Sequence, residues 1–538
     1  MAYELERLGP GNSGSGQIEQ CLRKLLEVDR PRCRRLWTYY ANPMSVRAVD
    51  AGDNGSGRPY VQGQEWGLPM RITGGRVPTQ FDSARRKEVV IENDIGWRIN
   101  TTIEYLFGKE VLLESAAGNP ERQQLLTGVL RQVIANHGGM LFFQQLALLG
   151  LVYGFVDVVV KLDTTRLAEA VPQTVDAPLP PRVMEGGDGG GVGEGGSGDA
   201  AASPLPSTDV GSGNHVPPPV DVEKIASLIR LEIVEPGRAM PILSDVDWRT
   251  VEAYGQVWEE EVRTEGTGNG RNGDGGFLSR WLRGATRRIS GDSKITVMEI
   301  ISPTAWQRYR DGALVAEGVN SLGEIPLVHI QNATMPFAYA GASDVEPLIP
   351  LQDELNTRMS DRANRITLQS FKMYLGKGID GFLEMPVAPG RMWATDNDQA
   401  SVIEFGGDNS CPSENSHIAD VREAMDKISS VTPIAAGSIK DRIGNLTSAA
   451  ALRITLMALL SKIDRKRTTY GTGIRRMCEL ILAWLDVCGA LPNVTEERGI
   501  NLYWSDPLPG DEMESIQEAQ AKINLGVAKE VVLKELGY

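Results

Sequence analysis

The chain has 538 residues, which at the usual ~100–200 residues per domain makes room for several domains. Its 41% hydrophobic and 23% charged content is that of an ordinary soluble protein. A net charge of −15 excludes a regulator that grips nucleic acid by neutralising phosphates, because that term supplies most non-specific affinity. Five cysteines (Cys21, Cys33, Cys411, Cys478, Cys488) are odd in number, scattered and without CxxC spacing, as expected of reduced thiols in a cytosolic setting.

In chain order, the opening MAYELERLGPGNSGSG lacks an apolar core, so no signal peptide is expected. Residues 140–162 (MLFFQQLALLGLVYGFVDVVVKL) are about long enough to span a bilayer. Gln144, Gln145 and Asp157 speak against that, and the expectation is a buried helix ending near Gly150 to Gly154, followed by a β-branched strand over Phe155–Leu162. Residues 168–219, rich in Gly and Pro with almost no large apolar side chains, read as a linker or surface excursion. Strands are expected at 231–236, 250–262, 294–301 and 313–318, an α+β pattern interrupted by the polar insertion 263–276. The basic stretch 277–290 (FLSRWLRGATRRIS) either contacts nucleic acid or another component of an assembly, or is a solvated surface.

A helix is expected from the prolines at 347 and 350 to about Phe371, with Val345, Leu348, Leu351, Leu355, Met359 and Ile366 on its apolar face. Its polar middle (NTRMSDRANR, 356–365) implies that it lies on water or packs against similar helices of other subunits. Residues 372–412 alternate short apolar runs with turn residues and read as a small β-rich module. A second helix over 413–431 carries one narrow stripe, Ile418, Val421, Met425 and Ile428. After Thr432-Pro433 comes a loop in which Gly437 and Gly444 flank Lys440, Asp441 and Arg442. From about Thr447 to Gly489 the spacing predicts one helix of roughly 40 residues, far beyond the mean of about 11–12, or two broken near Gly471 and Gly473.

No catalytic constellation accompanies this layout. Gly108-Lys109 lacks the Ser/Thr and upstream glycine of a phosphate-binding loop. The histidines at 137, 215, 329 and 417 lie in different segments, and the one close Cys/His pair, Cys411 and His417, has no further ligands for a metal. The expectation is no enzyme, no metal and no cofactor.

Four segments in matching order resemble a known family: NDIGWRINTTIEYLFGKEV (93–111); EIPLVHIQN (324–332) with SDVEPLIPLQDELNTRMSDRAN (343–364); SIKDRIGNLTSAAALRITLMALLSKIDRKRTTYGTGIRRMCELILAWL (438–485); and INLYWSDPLPGDEMESIQEAQAKINLGVAKEVVLKEL (500–536). Together, over roughly 80–165 and 225–538, they are similar to the portal proteins of tailed bacteriophages, the siphophage-type head-tail connectors. The resemblance implies an α+β multidomain portal fold. It would have an α/β wing (1–343, with the insertion 168–219), stem helices (344–371 and 413–431), a small β-rich clip (372–412), a tunnel loop (432–447), a long wing and crown helix (448–489) and a helical crown (490–538).

The function implied is a ring-shaped DNA conduit at one capsid vertex of the virion, assembled in the host cytoplasm. Through it the terminase large subunit packages the genome and DNA is later ejected. The implied partners are a homo-oligomer, a dodecamer in keeping with the family's usual number, double-stranded DNA passing non-specifically, a head-tail adaptor, and the major capsid and scaffold proteins, with no membrane. The alternative is a non-conducting head-completion or adaptor ring, whose chains are usually much shorter. Twelve chains at −15 each give −180, which disfavours firm phosphate contacts and suits sliding. Lys440 and Arg442 would then face the DNA; the other reading is that Asp441 and neighbouring chains neutralise them. Arg358, Arg362 and Arg365, at i, i+4 and i+7, make one stripe that faces the DNA or pairs with Asp353, Glu354 or Asp361 of a neighbour.

Overall fold

The computed structural model describes residues 14–46, 60–73, 88–163, 165–167, 221–244, 246–247, 249–262, 293–369, 373–378, 397–405, 411–436, 449–508 and 512–535. The insertions at 168–219 and 263–276, the basic stretch 277–290, most of 372–412, and Lys440 and Arg442 lie outside the described residues. The helices are α1 (Gly14–Lys24), α2 (Arg30–Ala41), α3 (Met70–Thr73), α4 (Asp94–Phe107), α5 (Pro120–Asn136), α6 (Met140–Tyr153), α7 (Val222–Ala226), α8 (Ile349–Gln369), α9 (Pro412–Ser429), α10 (Ala449–Thr455), α11 (Met457–Val487), α12 (Glu512–Asn524) and α13 (Lys529–Glu535). The strands are β1 (Met44–Val46), β2 (Tyr60–Gln62), β3 (Val111–Ser115), β4 (Phe155–Leu162), β5 (Ile229–Val234), β6 (Ala239–Leu243), β7 (Val251–Val262), β8 (Ser293–Ile301), β9 (Ala305–Arg310), β10 (Ala313–Val319), β11 (Leu327–Gln331), β12 (Met373–Lys377), β13 (Ser401–Phe405) and β14 (Ile500–Trp504). Helix and sheet are mixed, in an α+β arrangement.

The membrane-length stretch is the buried helix and strand that its polar residues imply. α6 ends at Gly154, whose φ of 99° is the left-handed region that favours glycine, and a Cβ there would sit 2.3 Å from the Gly341 carbonyl oxygen. β4 then runs between β11 and β5, antiparallel to both. Its run of valines does not alternate with polar residues because both faces are covered. Val156, Val158 and Val160 enter the main core with residues of α4, α5, α6 and α11, while Phe155 and Val159 join Ala239 and Tyr254 beneath a second sheet. That second sheet has the antiparallel order β10-β9-β8-β7-β6. β5, β7, β8 and β10 fall where the sequence places strands, within a residue or two; β6 and β9 carry no such signal, since AMPIL contains a proline and AWQRYR reads as polar.

The long C-terminal helix breaks at Leu456, between α10 and α11, and passes unbroken through Gly471 and Gly473. At Gly473 the glycine serves close packing: a Cβ would lie 2.3 Å from Ile330 Cγ1, so its absence lets α11 rest directly on β11. Among the described residues no helix is long and apolar enough to cross a membrane.

Candidate stem and tunnel surface

α8 begins after a short 3-10 turn, Glu346–Leu348, whose Pro347 fits a helix start because its missing N–H has no partner to lose there. Its apolar face enters the core through Leu348, Ile349 and Leu355. One side of the polar middle is taken up within the chain itself. Gln352, Asn356, Ser360 and Asn364, four residues apart, line one side of the helix. Each accepts a backbone N–H from residues 88–95 of the same chain, the stretch leading into the first turn of α4: Ile95 to Gln352 Oε1 (3.2 Å), Glu92 to Asn356 Oδ1 (3.0 Å), Val90 to Ser360 Oγ (3.0 Å) and Glu88 to Asn364 Oδ1 (2.9 Å). Asn356 also donates to Gln64 Oε1 at 2.9 Å. The helix thus acts as a hydrogen-bonding edge for the stretch that leads into α4.

α9 packs beside α8, and the three stripe arginines meet carboxylates of their own chain. Arg358 Nε donates to Glu354 Oε1 at 2.7 Å and its Nη1 lies 3.6 Å from Asp361. Arg362 reaches Glu414 (3.4 Å) and Asn415 (2.6 Å) on α9, and Arg365 pairs with the same Glu414. Glu414 is a partner that helical spacing within α8 does not reveal. Asp353 instead accepts from the Tyr39 hydroxyl at 2.7 Å, and Asp361 pairs with Arg71. His417 Nε2 lies 2.9 Å from Glu354 Oε1. Burial would raise the Glu354 carboxyl, but His417 and Arg358 outweigh it and hold it below its ordinary range. Among the described residues no group of three or more Cys, His, Asp or Glu is placed to hold a metal.

Behind this helix pair lies a buried cluster of charges that sequence reasoning missed. Asp344, just before α8, faces two lysines one turn apart on α11: Lys462 Nζ is 2.7 Å from Oδ2 and Lys466 Nζ is 3.2 Å from Oδ1. Asn332, at the end of β11, donates to Asp344 Oδ1 (3.0 Å) and accepts from Lys466 (2.7 Å). Burial alone would raise the Asp344 carboxyl, but the two ammonium groups hold it down at about 2. Burial pushes Lys466 down to about 8, against the pull of Asp344. A second buried cation, Arg98 of α4, is only 2% exposed. It donates to Ser429 Oγ (2.9 Å) and to the Val431 carbonyl (2.5 Å), and pairs with Asp426 (2.7 Å) and Asp94 (3.2 Å). A faint signal existed: Lys462 and Lys466 stand at i and i+4 in an otherwise amphipathic stretch, and Arg98 interrupts the apolar face formed by Ile95, Ile99 and Leu106.

On the outer side of α10 and α11, Arg453, Ile454, Met457, Leu460, Ser461, Asp464, Arg465 and Thr468 line an open groove of about 550 Å³. Ile454 and Met457 in it are more than half exposed.

Helices α8 to α11, the Asp344–Lys462–Lys466 cluster and the groove fall within a family match. Residues 279–537 match the family model described as "Phage portal protein, SPP1 Gp6-like". The matched stretch contains α8, α9, α10 and α11 and three of the four segments that carry the sequence resemblance; the fourth, 93–111, precedes it. The portal resemblance is thereby borne out over this stretch. No curated protein matches the sequence. Among solved structures, the chain is similar to one in "Neck of empty GTA particle computed with C6 symmetry", at 13% identity and TM-score 0.40, covering 81% of this chain and 90% of that one. A chain in "Neck of native GTA particle computed with C12 symmetry" gives 13%, TM-score 0.38, and 81% and 90%. One in "Virion of native gene transfer agent (GTA) particle" gives 13%, TM-score 0.38, and 80% and 85%. These likenesses are too loose to add to the family match.

Proposed function

We propose that the chain is the subunit of a ring, twelve-fold by the family's habit, that conducts double-stranded DNA at one vertex of a virion. In this reading a terminase packages the genome through the ring, the DNA later leaves by the same path, and a head-tail adaptor docks on the clip at 372–412. The observation that carries it is the portal family match, which spans both stem helices, the loop between α9 and α10, and the long helix that follows. The charge supports it: at −15 per chain the ring repels duplex DNA overall and favours sliding over trapping. So does the pairing of Arg358, Arg362 and Arg365 with carboxylates of their own chain, which leaves the stem few uncompensated cations to hold phosphate. Lys440 and Arg442 would then be the cations that steer the duplex. The exposed Ile454 and Met457 would lie against a neighbouring subunit.

Electron microscopy of the purified protein tests the ring, and a packaging assay tests the conduit. Rings with an axial hole wide enough for duplex DNA are expected. Lys440→Ala with Arg442→Ala should leave ring formation intact and lower the DNA packaged per head. Persistent monomers at high concentration, with scaffold protein present, would overturn the reading.

A further inference from the structure

Asp344 has more positive charge around it than it needs. Lys466, 3% exposed, already faces the carboxylate and is itself held by Asn332. The second ammonium, Lys462, lies 2.7 Å from the other carboxylate oxygen and donates to the Ser429 carbonyl at 2.9 Å. That carbonyl belongs to the last turn of α9, where no intrahelical N–H remains to satisfy it and where the helix end carries partial negative charge. The next residue, Ser430, turns the chain out of the helix at φ 58°. Lys462 therefore touches the entry of one stem helix and the exit of the other at once.

Both ends are otherwise anchored to different bodies. The Asp344 side is tied to α6 and β11: its own N–H donates to the Leu151 carbonyl (2.9 Å), and Asn332 Nδ2 donates to its carboxylate (3.0 Å). The Ser429 side is tied to α4: Arg98 donates to Ser429 Oγ and the Val431 carbonyl, and the Tyr105 hydroxyl donates to the Ala435 carbonyl (3.1 Å). Lys462 is the side chain from α11 that bridges these two sets.

We infer that Lys462 is a positioning residue that couples the two stem helices, fixing where α9 ends relative to where α8 begins and so placing the chain that leaves α9 over 430–436. This rests on α8 and α9 being the stem pair of the proposed ring. Neutralising Asp344 is the work of Lys466; transmitting its position to α9 is the work of Lys462.

The test is hydrogen exchange of the full chain, read by peptide mass spectrometry over 343–350 and 429–436, with β7 and β8 as internal control. Lys462→Met, which keeps the length of the side chain and removes its charge and donors, should speed exchange about tenfold or more in both windows and leave the control unchanged. Asp344→Asn should speed exchange in 429–436, although Asp344 makes no contact there. Lys466→Met removes an equal charge beside Asp344 but does not reach Ser429, and should leave 429–436 within about twofold of the parent. Should Lys462→Met fail to fold, Lys462→Gln is measured in the same way. Exchange that rises in one window only, or a Lys466→Met effect on 429–436 as large as that of Lys462→Met, overturns the inference. Ring formation scored by microscopy in the same preparations tests the stem reading separately: rings with uncoupled windows would sink the coupling alone, and coupled windows without rings would sink the ring alone.

Discussion

Asn356→Ala should loosen the segment 88–95 while leaving the rest of the core in place. Asn356 is fully buried. Its side chain accepts from the Glu92 N–H (3.0 Å) and from Gln352 Nε2 (3.0 Å), and donates to Gln64 Oε1 (2.9 Å). Alanine leaves the Glu92 N–H and Gln64 Oε1 without those partners, and a buried polar group left unsatisfied costs ~1–3 kcal/mol. Gln352 keeps a second acceptor in the Glu92 carbonyl, so its loss is small. The sum is about 2–6 kcal/mol of local stability, equivalent to a roughly 30- to 25,000-fold rise in exchange through local opening. The amides to read are Val90 and Ile95, which keep their own acceptors, Ser360 Oγ and Gln352 Oε1, in the variant. If both stay within threefold of the parent, the four-residue ladder along α8 is not a cooperative unit, and the account of how a polar helix face is buried fails.

Acid should weaken the junction at the head of α8. Asp344 is held at about 2, below its unfolded value of ~3.9, so its contribution is fully present well above pH 4 and is lost as pH falls through 2, about 2–3 kcal/mol in all; Asp344→Asn should flatten that limb of a stability-versus-pH curve from chemical denaturation. Gly473→Val should lower the thermal midpoint by an amount matching ~3 kcal/mol or more, since its Cβ meets Ile330 Cγ1 at 2.3 Å; Ile330→Ala in the same chain should recover part of the loss. Met457→Glu, on the open groove, should leave the melting curve of the subunit unchanged and lower the fraction of particles scored as rings.

How far the sequence could be read differs from element to element for physical reasons. α6 with β4 was legible because an apolar run broken by glycine and followed by β-branched residues leaves few other folds, and Asp157 told against a membrane. The ends of α8 and α9 were legible from prolines and apolar stripes. The inner polar face of α8 was not, because Gln352, Asn356, Ser360 and Asn364 look like surface residues until the backbone N–H groups of residues 88–95, more than 250 positions away, are brought against them. The break in the long helix was sought at Gly471 and Gly473, but glycine also serves close packing, and only the position of Ile330 decides between the two roles. Of the site residues, the arginine stripe was visible as spacing, yet its partner Glu414 is on another helix. Lys462 and Arg98 left only a faint signal and Asp344 none, because ionised residues are read as exposed unless their counter-charges are known.

The pairing of β3 with β14 has a consequence for how this protein is made. Val111 of β3 pairs with Trp504 of β14, and Lys109 Nζ donates to the Asp506 carbonyl, 397 positions along the chain. α4 and α6 in turn bury their apolar faces partly against α11. At a synthesis rate of ~5–20 residues per second, the N-terminal half waits roughly 20 to 80 seconds on the ribosome with β3 unpaired and those faces uncovered. The nascent chain is therefore exposed to wrong partners, including identical chains on the same message, for most of its synthesis. Folding to completion can begin only once α11 and β14 have emerged.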